Sequence, residues 1–83
     1  MNIKQELLVL MENTLHLGGR TASFTDEKPL LGSLPELDSM GVVALITAME
    51  ERFGFTVEDD EIDGAVFHTV GSLMGFIQQK LGN

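Results

Sequence analysis

Cysteine is absent from all 83 residues. Its absence excludes disulfide staples, thiolate metal ligands and a cysteine nucleophile, so a chain this short must hold together by packing helices. Basic residues are scarce: five Lys and Arg stand against thirteen Asp and Glu, giving a net charge of −8 and a pI near 4.4. That balance argues against binding nucleic acid, which needs cations to neutralise phosphates, and against an affinity for anionic membranes. Partners with basic faces are expected, and self-repulsion favours a monomer. No apolar run approaches the roughly 18 residues that would span a bilayer. Glu6 and Glu12 interrupt the apolar positions near the start and no small-residue cleavage site follows, unlike a signal peptide. A soluble, cytoplasmic protein is therefore expected, with no membrane insertion. No β-type alternation persists anywhere, and no repeat or low-complexity segment is visible.

What is present is a globular composition, 43% hydrophobic and 22% charged, in a length that suits one domain over residues 1–83. The charge is unevenly spread. Nine of the thirteen acids lie between positions 36 and 63, opposed only by Arg52. One central third of the chain thus carries the field. Such a run can be merely a solvated helix face, but its concentration makes it a candidate docking surface for a basic partner.

Periodicity predicts an all-α fold, a small bundle of three main helices plus one short helix with a long loop between the first and second. In residues 2–17, Ile3, Leu7, Met11 and Leu15 recur at four-residue steps, Leu8 and Leu10 widen the stripe, and Gly18-Gly19 is a stop signal. Residues 18–37 read as a long connection pinned by Phe24, Leu30, Leu31 and Leu34. A second helix starts at Asp38-Ser39, either residue serving as N-cap, with Val42, Val43, Ile46, Met49 and Phe53 at helical spacing and Gly54 as terminator. Gly41 weakens that helix and keeps the surface beside the serine bare. Residues 58–63 form a short acidic turn of helix anchored by Ile62. Thr69 caps the last helix, whose inner stripe is Val70, Leu73, Met74, Ile77 and Leu81, while Gly71 and Gly75 permit close packing.

Several patterns carry little chemistry. The run Asp59-Asp60-Glu61-Ile62-Asp63-Gly64 has Glu61 at the third position and Val70 at the twelfth, which does not fit a calcium loop. His16 and His68 are single histidines suited to the surface or the core edge, and no metal site is expected. Met11, Met49 and Met74 fall on inner stripes and read as core filling. A serine hydrolase would need an activating base and an oxyanion hole, and nothing here resembles a nucleophile elbow or a glycine-rich phosphate loop. The chain reads as catalytically inert by itself, not an enzyme.

Ser39 stands apart. Its hydroxyl lies at a helix N-terminus, where backbone N–H groups and the dipole favour an attached phosphate. Met40 and Gly41 leave a small apolar surface beside it, and the acidic segment begins around it. The run Leu37-Asp38-Ser39-Met40, followed by Val43-x-Leu45-Ile46-x-x-Met49-Glu50-Glu51-x-Phe53-Gly54, resembles the acyl carrier protein family. The likeness extends over nearly the whole chain: length, helix order, long first loop, acidic short helix and Thr69-capped final helix.

The resemblance implies that a phosphopantetheinyl transferase moves 4′-phosphopantetheine from coenzyme A onto Ser39, and that the arm's thiol carries acyl groups as thioesters. It implies that Asp38 helps organise the magnesium-assisted transfer in the transferase complex, and that Met40, where leucine is usual, is an apolar contact for that enzyme. Glu50, Glu51, Glu58, Asp59, Asp60 and Glu61 become candidates for docking to acyl-activating or acyl-transferring enzymes with basic faces. Ile46, Met49 and Ile62 are candidates to line a sheltered acyl chain. Carriers of fatty acid synthesis usually place acids just after the motif serine and one turn on, where this chain has Gly41 and Ala44. Docking there is then less electrostatic, which points to a specialised lipid or secondary pathway. Residues 37–41 and 61–69 also look like D-alanyl carrier proteins, so an aminoacyl carrier is the alternative cargo class. An unmodified acidic interaction module is the alternative from outside the family.

Overall fold

The described residues of the computed structural model are 2–82. Three α-helices form where the spacing predicts them: α1 is Ile3–Leu15, α2 is Ser39–Phe53 and α3 is Val70–Gly82. Asn2 caps α1 by accepting the Gln5 N–H at 3.1 Å. Thr69 caps α3 reciprocally, its Oγ1 accepting the Ser72 N–H at 3.1 Å while the Ser72 Oγ accepts the Thr69 N–H at 3.0 Å. These bonds satisfy amides that have no partner within their own helix.

α1 packs against both α2 and α3. Leu7, Met11 and Leu15 of α1 meet Leu45, Met49 and Phe53 of α2 and Val70, Leu73 and Ile77 of α3 in one buried cluster. The stripes of α1 and α3 fall largely as read, with Ile3 and Met74 half-buried against the core. Leu81 does not: it is exposed at the last turn of α3, beyond its neighbours. The stripe of α2 is rotated from the expected one. Its inner line is Gly41, Leu45, Met49 and Phe53, with Val42 and Ile46 half-buried beside it and Val43 63% exposed. Glycine carries no hydrophobic signal, so a phase read from the two valines misses that Gly41 leads the buried face.

α1 stops earlier than the glycine pair suggests. His16 adopts the left-handed conformation at φ 57°, and its N–H returns to the Glu12 carbonyl. The Glu12 carboxylate then accepts the Gly19 N–H at 2.6 Å and the Thr21 hydroxyl at 2.9 Å, wrapping the chain round so that Leu17 enters the core. The first donor in particular holds the Glu12 carboxyl below its ordinary pKa.

The long connection is ordered by its own bonds. It opens on a 3₁₀ turn at Arg20–Ser23 that the spacing did not foretell. Leu17, Phe24, Leu30, Leu34 and Leu37 are buried, whereas Leu31 is exposed. Its backbone runs antiparallel to the segment leading into α3: Leu30 and Leu31 donate to the His68 and Phe67 carbonyls at 3.0 Å each, and Gly71 donates to Asp26 at 2.8 Å. A Cβ on Gly71 would lie 3.1 Å from the Asp26 carbonyl oxygen, so this glycine does permit a close approach; one on Gly75 would meet nothing within 4 Å.

The short acidic helix is a single 3₁₀ turn, Asp59–Glu61. Phe55 stacks on Phe53 just before it, ring centroids 6.1 Å apart, and Ile62 and Val66 are half-buried behind it. Among the described residues no helix is long and apolar enough to cross a membrane.

Candidate functional site

Ser39 is the first residue of α2 and is exposed. Asp38, one residue earlier, takes an extended conformation and caps the helix, its Oδ1 accepting the Gly41 N–H at 2.8 Å. Of the two cap candidates it is therefore the aspartate that caps, leaving the serine hydroxyl turned out at the positive end of the helix dipole. Met40 is 78% exposed beside it, and Val43, one turn on, is the next bare apolar side chain. Asp38, Ser39 and Met40 thus lie together at the amino end of α2.

Gly41 is buried, not part of the surface beside the serine. Its Cα faces the Glu36 carbonyl, and a Cβ there would collide with that oxygen and sit 3.3 Å from Leu15 Cδ2. The Glu36 carboxylate is paired with the Arg20 guanidinium, whose Nε also donates to the Leu17 carbonyl at 2.9 Å. The Arg20 bond holds the Glu36 carboxyl below the ordinary range. Sequence reading counts Glu36 only as part of the acidic segment and misses its pairing with Arg20, because an Arg and a Glu sixteen positions apart leave no local signal.

The six acids expected to dock divide in two. Glu51, Glu58, Asp59 and Asp60 are exposed. Glu50 is half-buried, its Oε2 accepting the Val57 N–H at 2.8 Å. Glu61 accepts the Glu58 N–H at 2.8 Å and both Lys80 bonds at 2.9 Å. The Glu58 amide first, and Lys80 after it, keep the Glu61 carboxyl below its ordinary pKa. Glu50 and Glu61 therefore tie the acidic turn to α2 and α3. The Glu50 bond to Val57 holds the residue before the acidic turn against the far end of α2. Along the exposed face of α2, Ser39, Met40, Val43, Ala44 and Thr47 are uncharged and Glu51 is the first acid. At 1.5 Å per residue it lies about 18 Å from the serine.

The sequence model for a phosphopantetheine attachment site matches residues 7–77. The chain belongs to the acyl carrier protein family. It is 30% identical to an acyl carrier protein of an Exiguobacterium species over 80 residues, 94% of this chain and 98% of that one. To an acyl carrier protein of Thermotoga maritima it is 33% identical over 66 residues, 80% of this chain and 78% of the other. The solution structure of a holo acyl carrier protein from Nitrosomonas europaea superposes with a TM-score of 0.91 at 44% identity, covering 100% of both chains. The all-helical fold is that of the family. Acyl carrier proteins are carriers rather than catalysts, and the prosthetic group here is covalently held 4′-phosphopantetheine. The residues around Ser39 fit a phosphodiester: an exposed hydroxyl at a helix amino end, with no bulky buried wall around it.

Proposed function

We propose that Ser39 is the attachment point, and that the whole chain is one carrier domain which displays acyl thioesters on the arm to partner enzymes in the cytoplasm. The observation that carries this reading is the exposed Ser39 hydroxyl at the first position of α2, with Asp38 as the cap and Met40 beside it. Without cysteine the protein has no thiol of its own, and the arm supplies it; moving activated acyl units on a flexible cofactor leaves the chemistry to the partners. In loading, the Ser39 Oγ gives up its proton to a base of the transferase and bonds to the phosphorus nearer the pantetheine in coenzyme A. The bond from that phosphorus to the bridging pyrophosphate oxygen breaks and 3′,5′-ADP leaves. Asp38 assists that transfer by helping to organise its magnesium ion in the complex.

The exposed acids Glu51, Glu58, Asp59 and Asp60, joined at their margins by Glu50 and Glu61, form the docking face for enzymes with basic surfaces. Charges at such a rim act on encounter rate and selectivity more than on affinity, which suits brief visits. The uncharged stretch of α2 from Met40 to Thr47 supports service to a dedicated ligase or transferase in a specialised lipid or secondary pathway. It supports an aminoacyl cargo equally well.

Intact-mass analysis after incubation with coenzyme A and a phosphopantetheinyl transferase tests the reading. A gain of one phosphopantetheine that vanishes in Ser39→Ala is expected; no gain, or a gain that survives the substitution, overturns it and leaves an unmodified acidic module. Trapping the thioester on protein from its native host then separates acyl from aminoacyl cargo.

A further inference from the structure

Loading needs more than an exposed hydroxyl: the Oγ must approach phosphorus in line, and its position is set by the residues on which the first turn of α2 rests. Three observations converge on that turn. Gly41 donates its N–H to the Asp38 cap at 2.8 Å, while its bare Cα receives the Glu36 carbonyl where any Cβ would clash. The Glu36 side chain is fixed from the other direction by Arg20, itself anchored to the Leu17 carbonyl at 2.9 Å. The other Glu36 carboxylate oxygen, Oε1, is buried with no protein partner among the described residues, so the Arg20 guanidinium is the side-chain group that fixes this carboxylate.

We propose that Gly41 is a positioning residue for Ser39, and that the Arg20–Glu36 pair is the latch that keeps residues 36–38 seated on it. The inference rests on Ser39 being the attachment point. A Cβ at position 41 meets backbone rather than a flexible side-chain tip, so residues 36–38 must move. The Asp38 cap moves with them, and Ser39 follows. The glycine, an unfavourable residue in a helix, is thereby explained by what it lets approach. Any side chain at position 41, an acid included, meets the same clash with the Glu36 carbonyl.

The test compares steady-state loading of wild type, Gly41→Ala, Arg20→Ala and Arg20→Lys by a phosphopantetheinyl transferase at saturating coenzyme A. Far-UV circular dichroism confirms folding of each. A misplaced nucleophile lowers kcat rather than binding. Gly41→Ala is expected to lose about tenfold or more in kcat with KM within about twofold. Arg20→Ala should lose about threefold in kcat, and Arg20→Lys should recover part of it, because the charge returns without the two-way fork. Wild-type kcat in folded Gly41→Ala, or a loss confined to KM, overturns the proposal. If Gly41→Ala does not fold, the decision passes to Arg20→Ala, where an unchanged kcat overturns it and a lowered kcat rescued by lysine supports it. Failure of the wild type itself to load sinks the attachment reading instead, so the two failures are distinguishable.

Discussion

The two ends of α2 are built for different ranges of interaction. At the amino end, Ser39, Met40, Val43, Ala44 and Thr47 offer a hydroxyl and apolar or neutral side chains to solvent. At the carboxyl end, Glu51 and the neighbouring Glu58, Asp59 and Asp60 offer charge. Among the described residues every Lys and Arg side chain is already engaged with another group: Lys4 with Asp26, Arg20 with Glu36, Arg52 with Glu6, Lys80 with Glu61, and Lys28 over the Phe24 ring at 5.2 Å. Those exposed acids are therefore left without compensation. The separation of about 18 Å exceeds the screening length of about 8 Å at physiological salt. On the proposed function, the acids lie too far away to act on the chemistry at Ser39, and their field steers the whole molecule toward a basic surface. Steering and short-range fit are thus assigned to opposite ends of one rigid rod.

The sharpest way to break that division is at the serine itself. Ser39→Ala should abolish loading completely while leaving the helical spectrum and the melting temperature close to wild type, because Asp38 rather than Ser39 caps α2. A Ser39→Ala protein that unfolds would show that the hydroxyl has a structural task at this end. Next in size is a contrast between two faces of the same helix. Leu45→Ala removes a fully buried side chain and should cost about 2–5 kcal/mol. Val43→Ala, two residues away and exposed, should stay within about 0.5 kcal/mol and raise the KM of the transferase instead. Urea titration read by circular dichroism checks both; equal destabilisation would refute the observed phase of α2.

That pair of residues also marks where the sequence could be read and where it could not. The helices, the Thr69 cap and the Asp38-Ser39 start follow from local rules, since spacing and capping act over three or four residues. The motif residues Asp38, Ser39 and Met40 share one end of one helix, so their meeting was legible too. The rotation of α2 was not, because it is set by Gly41 admitting a carbonyl from the preceding loop. Nor was the early end of α1 at Leu15, which depends on Glu12 reaching amides seven and nine residues on. Nor were Glu50 and Glu61 separable from their acidic neighbours, since only the fold gives them Val57 and Lys80 as partners. What escapes one-dimensional reading is what a side chain does at a distance along the chain.

The carboxyl end can be tested by reversing its field. Glu51→Lys, Asp59→Lys and Asp60→Lys together should slow association with an enzyme that acylates the loaded carrier by about tenfold at low ionic strength. Stopped-flow rates for wild type and variant should converge as salt rises, with the turnover of the bound complex unchanged. A turnover loss that persists at high salt would mean that these acids act at the reacting end after all.

The smallest effect is on acid stability, where two groups of carboxylates oppose each other. Glu12, Glu36 and Glu61 have folded-state pKa values below ordinary, held there by the Gly19 N–H, the Arg20 guanidinium and the Glu58 N–H respectively. In the unfolded chain each binds its proton at a higher pH. Their contribution is thus complete above the ordinary glutamate value, about 4.3, and disappears as pH falls through the lower folded values. The uncompensated acids do the reverse, since lowering pH from 7 toward the pI near 4.4 reduces a net charge of −8 and relieves repulsion. Melting temperature should therefore rise on mild acidification and fall below about pH 4. Glu12→Gln, which cannot gain a proton, should flatten the falling limb and leave the rising one intact. The lysine triple should do the opposite, flattening the rise and sparing the fall. If either variant moved both limbs together, the latching carboxylates and the steering carboxylates would not be independent sets.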